Sequence, residues 1–150
     1  MKINIEEIKE LEETEINIKC SSITKELLNF IGDLVSDNQK IVGNYEGESF
    51  LIEQSDIYYI ESVDDKVFAY TEDKLYSLNL KLYELEKKLS SRYFFRASKS
   101  CIVNISHIVS LKSLFNGRIQ ATMKSGEYVV ISRSQVALFK EKLGVSKKWN

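Results

Sequence analysis

Proline is absent from this 150-residue chain, histidine occurs once and cysteine twice. Each shortage removes a class of protein. Without proline there is neither a polyproline ligand nor a proline-rich linker. A single histidine, His107, excludes a His-rich metal site, and Cys20 and Cys101 lack the spacing of a zinc or dithiol motif. No metal and no cofactor is expected. The two cysteines read as reduced, buried small hydrophobes rather than as a disulfide framework. Every hydrophobic run is soon broken by charge, and Met1-Lys2-Ile3-Asn4 opens no signal peptide, so the protein is expected in the cytoplasm.

Acidic residues are also scarce in one place. Residues 1–90 hold 10 Lys and 20 Asp or Glu, whereas residues 91–150 hold 11 Lys or Arg and 2 Glu, so a net charge of −1 hides portions of −10 and +9. Such asymmetry points to a polyanionic partner, nucleic acid before membrane. The cations fall at strand ends and in loops, where Arg92, Arg96, Lys99, Lys112, Arg118, Lys124 and Arg133 can reach into a groove or, equally, be solvated surface charge.

Enzyme patterns fail. Cys101 and His107 have no orienting acid beside them and read as a buried thiol and a surface imidazole. Asp64-Asp65 reads as a solvated turn rather than a catalytic pair. Gly43 and Gly47 flank a hairpin with no following Lys-Ser or Lys-Thr, so no phosphate loop is present. The chain is not expected to be an enzyme.

Hydrophobic periodicity predicts a mainly β chain. Ile16 and Ile18 alternate as in a strand, and Ile23, Leu27, Ile31 and Leu34 recur at helical spacing from about Ser22 to Asp37, a stripe expected to cover the β core, with dimerisation as the alternative. Short strands are expected at 41–45, 50–52, 57–60, 67–70, 75–78, 94–97, 102–104, 108–114, 118–123 and 128–131. Glu46-Gly47, Asp64-Asp65, Asn116-Gly117 and Ser125-Gly126 turn between them. Leu82, Leu85 and Leu89 mark one short amphipathic helix. A last helix is expected to start at a capping box, with Ser132 as N-cap, Arg133 at its first residue and Gln135 at N3, and to end at Gly144. A cation at that N-terminus opposes the helix dipole, which a functional partner would explain.

The run Phe94-Phe95-Arg96-Ala97-Ser98-Lys99-Ser100-Cys101-Ile102-Val103-Asn104 is followed by Ile108, Asn116-Gly117-Arg118, Gly126 and Ile131-Ser132-Arg133. With Asp56-Ile57-Tyr58-Tyr59-Ile60-Glu61 and Leu82-Tyr83-Glu84-Leu85-Glu86, it resembles the LytTR family of bacterial DNA-binding domains over about residues 42 to 143. The resemblance implies an elongated arrangement of small antiparallel sheets with short helices. An acidic strand-helix extension would occupy 1–40, the LytTR-like domain 41–145 and a basic tail 146–150. Only about 40 residues precede the match, too few for a receiver, so the chain resembles the stand-alone type.

The implied function is transcriptional regulation, by loops placed in successive major grooves of double-stranded DNA at imperfect direct repeats, usually as two protomers. By position, Lys99, Arg133 and Lys66 would read bases, Lys66 being replaced by Val67 if its loop shifts by one residue. Ser98, Ser100, Ser132 and Arg118 suit phosphate oxygens, while Arg96 and Asn104 either contact phosphate or brace the loop between them. A homodimer on DNA is expected, and a membrane protein encoded by a neighbouring gene is a further partner suggested by the resemblance. The alternative is a protein-interaction module whose basic surface docks an acidic partner.

Overall fold

A computed structural model describes residues 1–36 and 39–144 of the chain. After helix α1 (Lys25–Ser36) come strands β1 (Ile41–Tyr45), β2 (Glu48–Ile52), β3 (Tyr59–Val63), β4 (Lys66–Tyr70) and β5 (Leu75–Leu78). Helix α2 (Leu82–Lys88) precedes β6 (Phe94–Ser98), β7 (Cys101–Asn104), β8 (Ile108–Ser113), β9 (Ile119–Met123) and β10 (Tyr128–Ile131), and α3 (Val136–Leu143) closes the domain. The strands make two antiparallel sheets, ordered β2-β1-β5-β4-β3-β7-β6 and β10-β9-β8.

The turns follow from backbone chemistry. Glu46-Gly47 and Asp64-Asp65 both take positive φ at their two central positions, as a two-residue hairpin of right-handed twist requires. In β1, Gly43 is needed for space, because a Cβ there would lie 2.5 Å from Ile52 Cδ1 and 2.8 Å from Tyr76 Cβ.

Strand alternation sorts side chains into two cores. Ile60 and Ile102 face a cluster with Leu82, Leu85 and Leu89 on and after α2. Tyr59, Cys101 and Val103 face the opposite cluster, with Ile119, Val129 and Ile131 of the second sheet and Phe139 of α3. Every residue of β7 is therefore buried, since both its faces are covered. Tyr59 also ties the layers together, its hydroxyl donating to Glu127 beside the β9–β10 turn.

Four expectations at the N-terminus are corrected. Ile16 and Ile18 form no strand, because no sheet edge pairs with them. The helix starts later than Ser22, at a cap where Thr24 Oγ1 accepts from Leu27 N at 3.1 Å. Its stripe does not enter the core, since among the described residues neither core cluster includes one from α1, with Leu28 and Ile31 exposed and Leu27 and Leu34 only half-buried. Cys20 is exposed rather than buried. Asp37, the expected helix end, and the basic tail 146–150 lie outside the described residues.

Candidate nucleic-acid interface

The β6–β7 turn is held open from within. A register shift between Arg96 and Ser98 bulges the strand, and the Arg96 side chain folds back under the turn. Its Nε donates to Ser98 O and its Nη2 to Lys99 O, both at 2.6 Å, while Nη1 meets Glu86 of α2 at 3.2 Å. Ser98 Oγ accepts from Ser100 N at 3.2 Å, and Ser100 O accepts from Ser62 N of β3 at 2.8 Å. With the loop carbonyls bound inward, the Lys99 side chain is left exposed. Arg96 is thus a brace, one of the two roles anticipated for it.

The β10–α3 loop docks on that brace. Ser132 N donates to Ala97 O at 2.8 Å, and Gln135 Nε2 donates to Arg96 O at 3.1 Å. The expected capping box is absent, because Gln135 is drawn to β6 and Ser132 Oγ lies 3.3 Å from Ser134 Oγ. Residues Arg133–Gln135 form a 3₁₀ turn, and α3 begins only at Val136. Arg133 therefore does not stand at an α-helix N-terminus, and the dipole argument for it falls. Its side chain lies instead against the β8–β9 turn, where a Cβ on Gly117 would sit 3.6 Å from Arg133 Cγ. The helix does end at Gly144, with φ 71°.

Between these loops lies a cleft of about 470 Å³ lined by Arg96, Ser98, Lys99, Ser100, Ser132, Ser134 and Gln135. Sequence reading missed Ser134 and Gln135 as lining residues and Glu86 as the partner of Arg96. The Ser-x-x-Gln spacing is equally a helix cap, and only the packing of β10 against β6 redirects it.

The remaining predicted residues divide by geometry. Lys66 is exposed at the end of the β3–β4 turn, and Val67 is buried, so the cation and not the valine is presented. That turn shares its end of the sheet with the β6–β7 turn, joined through the Ser62–Ser100 hydrogen bond. Arg118 is exposed at the β8–β9 turn, next to Gly117 and the Arg133 side chain. Asn104 is buried away from any groove. It donates from Nδ2 to Ile57 O at 2.9 Å, and its Oδ1 accepts from Ser106 N at 3.0 Å and Ser106 Oγ at 2.6 Å. The phosphate role for Asn104 is thus corrected: it braces the entry to β3 rather than the β6–β7 loop.

Chemistry at the thiol and imidazole is restrained. Burial, reinforced by the Glu61 carboxylate and opposed by Arg96, pushes the Cys101 thiol up to about 12. His107 is half-buried rather than a free surface imidazole, with Nε2 2.5 Å from Ser55 O and its ring 4.4 Å from that of Tyr58. Cys101 pairs with Glu61 at one end of β3 while His107 lies by its start, so they do not meet. At that start, a cleft of about 440 Å³ is lined by Glu53, Asp56, Glu72 and Asp73 among others.

Residues 47–144 match the LytTR family, described as the LytTr DNA-binding domain. The chain belongs to this family. Two proteins of Staphylococcus aureus, from strains NCTC 8325 and COL, are each 33% identical to it over 127 residues, 85% of either chain. Both are named as an uncharacterized HTH-type transcriptional regulator. A solved LytTr DNA-binding domain from Bacillus cereus superposes with a TM-score of 0.69 at 25% identity, covering 71% of this chain and 98% of that one. The mostly antiparallel LytTr fold is therefore present, and the chain carries a domain whose partner is double-stranded DNA. Among the described residues no helix is long and apolar enough to cross a membrane.

Proposed function

We propose that this LytTR protein is a sequence-specific regulator of transcription that reads imperfect direct repeats, with two protomers on neighbouring sites. The β6–β7 and β10–α3 loops, which lie against one another, face the major groove together, where Lys99 and Arg133 donate to guanine O6 and N7. Lys66 makes a third, peripheral base contact. Ser98, Ser100, Ser132 and Arg118 meet phosphate oxygens and fix the register. Arg96 and Asn104 touch no DNA and act by bracing.

One observation carries this reading. Turns from two different sheets converge on one cleft with Lys99 exposed beside it, while the cation that lies beneath, Arg96, is bound to loop carbonyls and Glu86. Selection of bound sequences from a random DNA pool tests it. The wild-type protein should enrich two spaced copies of one short motif in the same orientation. Arg133→Ala should lose preference at defined positions of that motif while keeping the spacing. An unenriched pool, or identical preferences in the variant, contradicts the proposal.

A further inference from the structure

The segment before the DNA-binding fold carries a surface that this fold does not use. Residues 1–36 hold ten large apolar side chains that are 38% to 93% exposed, whereas the family match begins at residue 47. Ile3 and Ile5, then Ile16 and Ile18, alternate as residues of half-buried strands do. In α1, Leu28 and Ile31 continue an apolar stripe with Leu27 and Leu34. The polar edge of the helix is already engaged, because Asp33 accepts from Ser91 Oγ at 2.7 Å and Lys142 Nζ donates to Ser91 O. α1 is thereby held beside the domain with Leu28 and Ile31 in solvent.

Isolated apolar residues on a surface need no explanation, but ten exposed in one segment that the family match leaves out offer apolar area for a partner. At roughly 100 Å² each, they supply roughly 1,000 Å² per copy and roughly twice that for a pair, the scale of a stable complex. Charge does not drive such pairing, since residues 1–36 hold 4 Lys against 8 Asp or Glu and like segments repel. Apolar area must do it. We propose that residues 1–36 are half of a composite core, completed by the same segment of a second copy, so that the protein is a homodimer before it meets DNA.

The proposal is independent of how DNA is read, and sedimentation of the full chain tests it without DNA. From about 1 to 100 μM, where an interface of this size associates, the wild type should be a dimer. Ile31→Glu and Ile18→Glu should each weaken association roughly 100-fold by burying a charge, with the circular dichroism of the β domain retained. Leu51→Glu, at an exposed apolar position on β2, should leave association unchanged. Raising the salt should preserve or tighten the dimer, because screening relieves the repulsion. A thiol reagent gives a second readout: Cys101 is buried, so modification reports Cys20, which should slow roughly tenfold on dimerisation. The proposal is overturned by a monomer throughout, by a dimer indifferent to both substitutions, or by a Cys20 rate that ignores concentration. Dissociation by salt also overturns it, since that is the mark of acidic segments docked on basic loops.

Discussion

The two ends of the β3–β4 hairpin share the same strands and differ in almost everything a ligand would meet. At one end, Asp64-Asp65 turns the chain beside the β6–β7 loop, and Lys66 and Lys99 stand exposed with Arg133 and Arg118 on the neighbouring sheet's turns. At the other, the β4–β5 turn brings Glu72 and Asp73 to a cleft shared with Glu53 and Asp56. The −10 and +9 portions of the sequence are thus partly converted by the fold into two poles. The strands supply rigidity common to both. What a ligand meets depends on which side chains the turns leave exposed, and at the basic pole Arg96 holds the loop beneath Lys99.

Removing a brace should therefore matter more than removing a contact. At the far end of the same strands, Asn104→Ala leaves Ile57 O and Ser106 N without their buried partner, and should cost roughly 2–4 kcal/mol of stability in urea unfolding, with no bearing on the basic loops. Arg96→Ala frees the Ser98 and Lys99 carbonyls and should weaken DNA binding by roughly 3 kcal/mol, with folding little changed. If DNA binding by Arg96→Ala equals wild type, the loop needs no brace. Lys99→Ala and Arg133→Ala should each cost roughly 1–3 kcal/mol and relax base preference, as seen in competition with mutated sites. At the carboxylate pole, Glu72→Gln with Asp73→Asn should alter affinity by less than roughly 0.5 kcal/mol. A larger gain would show the acidic pole to be a restraint on DNA binding rather than a bystander.

Alkaline pH probes the layer between the poles. Cys101 holds its proton to about 12, above the ordinary thiol value of 9.0, first because it is buried. Stability from that protonated form is full below pH 9.0 and is lost as pH rises towards 12. Cys101→Ser should flatten the decline in thermal stability across this window.

Much of this architecture is legible in residue order, because its determinants are local. Period-two alternation locates the ten strands, Asn116-Gly117 marks its turn, and Gly144 ends α3 as expected. What failed depended on partners distant in sequence. Gln135 obeys the spacing of a cap yet binds Arg96 O, 39 residues away, since β10 packs against β6. Arg133 reads as a helix N-terminal cation until its side chain is found against the turn at Gly117. Ile16 and Ile18 carry the pattern of a strand but pair with neither sheet. Alternation records that a segment prefers to be half-buried, and cannot say against what. The candidate site was legible as residue types in loops, but the division between Lys99, which is presented, and Arg96 and Asn104, which are not, required the hydrogen bonds.

The central claim is that a few outward cations on braced turns engage DNA. Its most direct test is fluorescence anisotropy of the wild type, Lys99→Ala and Arg133→Ala on a selected site, titrated across salt concentrations. With roughly five phosphates neutralised, log K for the wild type should fall with log salt at a slope of about −4 to −5. The two variants should bind at least about tenfold more weakly and lose their margin over random DNA. Unchanged affinity and margin in both variants would contradict the account, whatever the slope.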